Sequence, residues 1–396
     1  MSTLPKALGY YYLTGMVVAG GFLLGSEVLK SSPVRGNTFA YSGEPFTNWD
    51  AQWYQKIAAQ GYDYSRTSFS SAVFFPAYPM LGRLVSRATG LNVDYSLLLI
   101  SNVCLIASLS LILRYFQVRY PEHDARLGGY AVIALTTLPA SLFFRVNYSE
   151  SLFLLILATF LLAMAKQCHP ALIAGLVGFA TAVRPVGVAL IPALIVHAWR
   201  SGGRPAARVA RLAYLLPLSI WGIAAFSAYL YLRFGDPLAF ARGQEAWSLR
   251  PDESPGHRLF CLLTFEPLRS IFTPSSGAYW YNHEYHHSLV FNMRVVDMLY
   301  FVGFSGLVAV GAWRRWLNGP EILTSALLIL IPYVTNGYGR TMISTARYSS
   351  VIIPAYAVIA HLLYKVEPPI VSALVGISCF FLGAFSALFA TWHVII

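Results

Sequence analysis

Residues 151–199 read SLFLLILATFLLAMAKQCHPALIAGLVGFATAVRPVGVALIPALIVHAW. Histidines aside, only Lys166 and Arg184 carry charge in this stretch. A membrane-spanning helix needs about 20 apolar residues, so the run ending at Lys166 reads as one span. The following run, Pro170 to Trp199, is about 30 residues, too long for one ordinary span. Arg184-Pro185 interrupts it near the middle, since proline and the residue before it both resist continuing a helix. The pattern predicts two short helices meeting at that break on the outer side. Arg200, Arg204, Arg208 and Arg211 follow at once, the mark of a cytoplasmic turn.

The rest of the chain repeats this pattern. Apolar runs extend over about Leu8–Leu29, Tyr95–Phe116, Gly128–Phe144, Leu212–Leu232, Leu289–Ala312, Ile322–Thr335, Ser349–Tyr364 and Ile370–His393. The sequence therefore predicts an all-α polytopic bundle of about eleven spans over 1–396, one integral membrane domain. The first run lacks a cleavage site of small residues and reads as a retained span. Two long polar stretches, 30–94 and 233–288, fall on the outer side, and the short basic turns fall inside. Composition agrees: 57% of residues are hydrophobic and 11% charged, against about 25% charged in soluble domains. Continuous apolar runs favour helices over a barrel.

The net charge of +11 follows from topology, because Lys and Arg collect in cytoplasmic turns. No basic stripe on a soluble module points to nucleic acid, so none is expected as a partner. Cys104, Cys168, Cys261 and Cys379 are scattered without metal spacing. No internal repeat of the transporter kind appears.

Chemistry concentrates in the polar stretches. Trp49, Trp53 and Ile57 recur every four residues, and Gly61 ends the pattern. This predicts an amphipathic helix lying in the interface, with Trp anchors. Asp50 stands at its start. One reading is a capping box, with Thr47 as cap and Asp50 reaching back. The other makes Asp50 a general base, and a helix N-terminus favours the ionised form either reading needs. Phe74-Phe75-Pro76-Ala77-Tyr78-Pro79 predicts a stiff turn before a helix, either an aromatic belt or one wall of a site. In the turn Arg145–Glu150, Arg145 and Glu150 could pair with each other, or Asn147 and Glu150 could bind a polar substrate. Arg184, inside an apolar stretch, is a functional candidate by default, suited to an anionic headgroup. Arg340 and Arg347-Tyr348 offer a second cationic position, and Asp297 a partner for Arg294. His283-Glu284-Tyr285-His286-His287 fits the zinc-protease pattern, but it follows a loop and no third ligand is evident.

Together these residues resemble the PIG-V-type mannosyltransferases of the GT-C class. The resemblance rests on Trp49-Asp50 with Trp53-Tyr54 and Gly61-Tyr62; Phe74-Phe75-Pro76 with Tyr78-Pro79; Tyr148-Ser149-Glu150-Ser151-Leu152-Phe153; Arg184-Pro185 with Gly187; Gly235-Asp236-Pro237-Leu238; and Arg347-Tyr348 with Pro354. The motifs run in order from about 45 to 360. What the resemblance implies is an inverting transferase working on the extracytoplasmic or luminal face. It would move a sugar, mannose first, from a polyprenyl- or dolichyl-phosphate carrier to a glycolipid or glycan acceptor. Eukaryotic members act in glycosylphosphatidylinositol assembly. Asp50 becomes the catalytic base; Trp49, Tyr54, Tyr78, Asn147, Glu150, Arg184, Arg347 and Tyr348 become the substrate-binding set. No cofactor is required, and a divalent metal is neither needed nor excluded. Two other readings stay open: a flippase or transporter for a lipid-linked sugar, and an intramembrane zinc protease.

Overall fold

The computed structural model describes residues 2–31, 44–251, 253–282 and 288–393, and these are helical without strands. The helices are α1 Leu4–Val28, α2 Ala51–Gln60, α3 Ala77–Thr89, α4 Val93–Arg119, α5 Ala125–Thr137, α6 Glu150–Ala165, α7 Pro170–Val183, α8 Ile191–Arg200, α9 Pro205–Ser219 and α10 Trp221–Phe234. They continue with the short α11 Ala239–Arg242, α12 Pro255–Leu263 and α13 Glu266–Arg269. Last come α14 Met293–Trp313, α15 Gly319–Arg340, α16 Thr345–Ser349, α17 Ile353–Leu363 and α18 Pro368–Ala390.

Among the described residues, five helices are long and apolar enough to cross a membrane: α1, α4, α14, α15 and α18. The pair α9–α10, bent by 49°, makes a sixth if taken as one span. The expected count of about eleven is not reached on this measure. The apolar runs are there, but several fold into shorter pieces. The run predicted for 128–144 stops being α-helical at Thr137 and continues as a 3-10 turn, Pro139–Phe144; Leu138, before the proline, turns extended. The 151–166 run becomes α6, of 16 residues, about 24 Å at 1.5 Å per residue. That is shorter than a hydrocarbon core of about 30 Å.

Helix boundaries follow local chemistry. Asn92 caps α4 by accepting from the Tyr95 amide, and Asp124 caps α5 through the Arg126 amide. Asn318 and Glu321 form a reciprocal capping box on α15. At the centre, α4 packs on α6, and α5 on α17, with Leu105, Leu109, Phe153, Leu157 and Tyr356 buried among them. α1 lies along α18 because Gly21 and Gly25 present no side chain; a Cβ on Gly25 would stand 2.5 Å from the Ala387 carbonyl oxygen. Close approach through small residues is the usual way helices associate in lipid.

α2 does not lie on a surface. Its apolar and polar residues, from Ala51 to Gln55 and at Ile57 and Ala58, are buried, and it packs against α3 and α4. The expected interfacial helix is thus an internal one. Its four-residue periodicity marks one buried face, and further contacts cover the other.

Candidate active site

The turn before α2 is clamped from several sides. The Asn48 side-chain amide donates to the carbonyls of Phe389 (2.9 Å) and Ala390 (3.2 Å), at the end of α18. The Tyr148 hydroxyl donates to the Asn48 carbonyl (3.3 Å) and accepts from the Asp50 amide (3.1 Å). Trp49 takes a left-handed conformation, φ +58°, uncommon for a bulky residue, and its ring rests 5.6 Å from that of Trp392. The capping box is not formed. Thr47 Oγ1 donates to the Glu44 carbonyl (2.7 Å), and the Asp50 carboxylate makes no cap bond to α2.

That carboxylate instead meets Arg347: Asp50 Oδ2 lies 2.6 Å from Arg347 Nη1. On the far side of the same guanidinium, Nε is 3.1 Å from Glu150 Oε1. Glu150 Oε1 is also 2.9 Å from Arg184 Nη1. Two carboxylates and two guanidiniums therefore alternate in one chain, Asp50–Arg347–Glu150–Arg184, and it is charge-balanced. Only 16% of the Asp50 side chain is exposed, and 2% of Glu150.

Local structure explains why these groups converge. Glu150 begins α6, where the helix dipole favours an anion. Arg184 is held extended, φ −150°, ψ 143°, by the proline that follows. The 3-10 turn Pro185–Leu190 then folds against α7. Gly187 permits this, since a Cβ there would lie 2.5 Å from the Ala180 backbone carbon. Arg347 sits on α16, reached through left-handed residues at Thr341, Met342 and Ser344. Asp297 fixes that path by accepting from the amides of Ser344 (3.1 Å) and Ala346 (2.7 Å). The expected use of Asp297 as a partner for Arg294 gives way to this backbone role. The Arg145–Glu150 pair does not form either: the Arg145 guanidinium donates to the Tyr11 carbonyl (2.9 Å) and Thr14 Oγ1 (2.6 Å).

Asp50, Arg184 and Arg347 open onto a cavity of about 520 Å³, shared with Tyr54, Phe74, Trp247, Arg340 and Tyr348. The Phe74–Pro79 segment is a turn running into α3, as its prolines predict, and Phe74 and Phe75 are one cavity wall. The Arg184 and Arg347 guanidiniums lie 5.2 and 5.3 Å from the Tyr348 ring centre, and Arg340 lies 5.1 Å from that of Trp247. Burial pushes the Tyr348 phenol up, but Arg347, Arg340 and Arg184 outweigh it and hold it below its ordinary value. The cavity thus has one carboxylate on its wall and three guanidiniums.

Of the predicted site residues, Asp50, Tyr54, Arg184, Arg347 and Tyr348 line this cavity, and Trp49, Tyr78, Asn147 and Glu150 do not. Tyr78 is enclosed, donating to the Leu97 carbonyl (3.0 Å) and lying 2.7 Å from Ser101 Oγ. Asn147 Nδ2 donates to the Asp94 carbonyl (3.0 Å). These residues build the frame, and Glu150 orders the arginines from behind. Trp247 and Gln244 belong to the 233–288 stretch and follow no periodicity that sequence reading could use. Among the described residues no group of three His, Cys, Asp or Glu side chains is placed to hold a metal. The His283–His287 pattern lies outside the described residues.

Solved structures share the fold. The crystal structure of ArnT from Cupriavidus metallidurans, bound to undecaprenyl phosphate, aligns with TM-score 0.52 and 14% identity over 93% of this chain and 63% of its own. The apo oligosaccharyltransferase of Archaeoglobus fulgidus aligns with TM-score 0.51 and 12% identity over 98% of this chain and 56% of its own. This chain therefore spans less than two thirds of either, and the likeness is one of fold. In sequence, residues 27–198, less than half of the chain, match the mannosyltransferase (PIG-V) family, the family that the motifs resemble. No curated protein matches the chain.

Proposed function

We propose that this protein is an inverting glycosyltransferase that moves a sugar, mannose first, from a polyprenyl-phosphate carrier to the hydroxyl of a glycolipid or glycan acceptor. The reaction takes place on the extracytoplasmic or luminal side. The observation that carries this reading is the single cavity in which Asp50 faces Arg184, Arg340 and Arg347. The family match supports the sugar, and the ArnT structure holds a polyprenyl phosphate.

In this mechanism the donor phosphate sits among the guanidiniums, which stabilise the charge that builds as the glycosidic bond breaks. The acceptor oxygen bonds to the anomeric carbon from the opposite face. The carbon–oxygen bond to the carrier phosphate breaks, and its electron pair leaves with the phosphate. Asp50 takes the acceptor proton. A phosphate leaves as a stable anion, so no second, protonated carboxyl is needed, unlike glycoside hydrolysis. This suits a site whose other carboxylate, Glu150, is enclosed between two arginines. Arg347, 2.6 Å from Asp50 Oδ2, aims the carboxylate until the donor arrives.

The test is transfer by purified protein in lipid nanodiscs, given labelled polyprenyl-phosphate-mannose and membrane lipid extract. General-base assistance contributes about 10²–10⁴-fold, so Asp50→Asn should lose about that much while keeping its fold. Normal transfer by Asp50→Asn removes the base assignment. Transfer by wild type from another carrier-linked sugar, and none from the mannose donor, overturns the choice of sugar.

A further inference from the structure

A second hollow, of about 700 Å³, lies between the 249–278 segment and the start of α14. It and the Asp50 cavity lie on two sides of one wall. Trp247 and Arg340 face the Asp50 cavity, whereas Leu249, Arg250 and Thr341 face the second. The wall is stitched where the Leu249 amide donates to the Gly339 carbonyl, at 2.8 Å.

The lining carries Arg250, Arg269 and Arg294 against one carboxylate, Glu266. Arg250 already engages both Glu266 oxygens, at 2.6 and 3.1 Å. Arg269 is exposed and has no carboxylate within ion-pair distance among the described residues. Arg294 is 7% exposed, and its Nε has no hydrogen-bond partner among the described residues. Among the described residues its Nη1 reaches the Gly277 carbonyl, at 3.4 Å. Asp297, one turn along α14, is occupied by the Ser344 and Ala346 amides. A buried guanidinium with an unused donor is costly unless an anion completes it. Around it stand several hydroxyls, and Thr341 Oγ1 is likewise buried without a partner. Guanidinium forks fit phosphate and carboxylate, and hydroxyl-lined walls fit other hydroxyls.

We propose that this hollow binds an anionic, hydroxyl-rich group, a phosphorylated polyol, through Arg294 and Arg269. On the transferase reading, and resting on it for this step only, the group is the head of the acceptor. The acceptor would then straddle the wall at Trp247 and Arg340, with its reacting hydroxyl in the Asp50 cavity.

The experiment titrates sorbitol 6-phosphate, sorbitol and inorganic phosphate into the full chain in phosphatidylcholine nanodiscs, followed by calorimetry. The expected order is sorbitol 6-phosphate tightest, then phosphate, with sorbitol not binding. Arg294→Gln should weaken the phosphorylated probe about 10-fold or more, the loss of a charge-assisted bond. Arg269→Gln, at an exposed position that leaves the fold untouched, should weaken it several-fold, and Glu266→Gln should tighten it. Equal binding to wild type, Arg294→Gln and Arg269→Gln overturns the proposal, as does equal affinity for phosphate alone. Nanodiscs containing phosphatidylglycerol separate the sources. Competition with the soluble probe assigns the site to a lipid headgroup, its absence to a soluble polyol phosphate, and the anion site stands in both. Asp50→Asn should bind the probe as wild type does. Failure of the base reading therefore appears in transfer, and failure of this one in binding.

Discussion

Glu150→Gln tests whether the buried charge chain is the keystone of the site. The substitution keeps the side-chain shape and removes one negative charge. Glu150 Oε1 lies 3.1 Å from Arg347 and 2.9 Å from Arg184. At about 3 Å and an effective dielectric near 20, each contact is worth about 5 kcal/mol before desolvation. Neutralising Glu150 relieves the cost of burying its own charge, and Arg347 keeps Asp50 as a partner. What remains is Arg347 on Asp50 and Arg184 without a carboxylate, and removing one member of a buried pair costs about 3–5 kcal/mol. Arg184 borders the cavity and can recover some hydration, so the lower end, about 3 kcal/mol, is expected. Cys104 is buried and free, so a thiol-reactive dye reports unfolding under heat or graded denaturing detergent. The companion is Glu150→Gln with Arg184→Met, which removes the pair together. A double-mutant cycle should return at least about 1 kcal/mol of coupling. If Glu150→Gln unfolds with wild type, or the cycle shows no coupling, the chain is not what holds the arginines.

Three further perturbations follow from the same geometry. Gly187→Ala forces the 3-10 turn off the Ala180 backbone; transfer should fall at least about 10-fold through a displaced Arg184, while Asp50→Asn-type proton-transfer effects, read by solvent isotope, stay unchanged. Asp297→Asn leaves one of the two amides, at Ser344 or Ala346, without its acceptor. It should destabilise by about 1–3 kcal/mol and raise the KM for the carrier-linked donor, measured by steady-state transfer, because α16 presents Arg347. Tyr78→Phe removes the bond to the Leu97 carbonyl deep in the frame; it should cost about 1 kcal/mol in dye-monitored unfolding and leave transfer at wild-type rate, and a large loss of transfer would return Tyr78 to the substrate-binding set.

What was legible in the sequence is what proline, glycine and apolar runs encode locally. The Arg184-Pro185 break stands where the proline rule puts it, and so does the turn from Phe74 into α3. Asp50 was legible as a residue at a helix start. Its partner was not, because Arg347 lies 297 positions away and no local pattern records such a meeting. Thr47 misled for the same reason: a capping motif states an option, and here the tertiary tie between Asp50 and Arg347 outcompetes it. Tyr78 and Asn147 look like site residues because polar groups near a catalytic motif do, yet burial turns them inward to carbonyls. The span count is not confirmed, because runs such as the one broken at Leu138-Pro139 fold into shorter pieces; hydropathy measures length along the chain and not continuity of helix.

The Asn48 clasp carries a consequence for biogenesis. The segment bearing Asp50 leaves the ribosome well before the carbonyls that seat it, at Phe389 and Ala390, 341 and 342 positions further on. Arg347 arrives almost as late. Until then the nascent chain holds an acid without its anchor or its counter-ion, and the turn at Asp50 is seated only when α18 docks beside α1. The contact of α18 with α1 thus closes the seat of a carboxylate made hundreds of residues earlier, so the order of synthesis is the reverse of what the site needs.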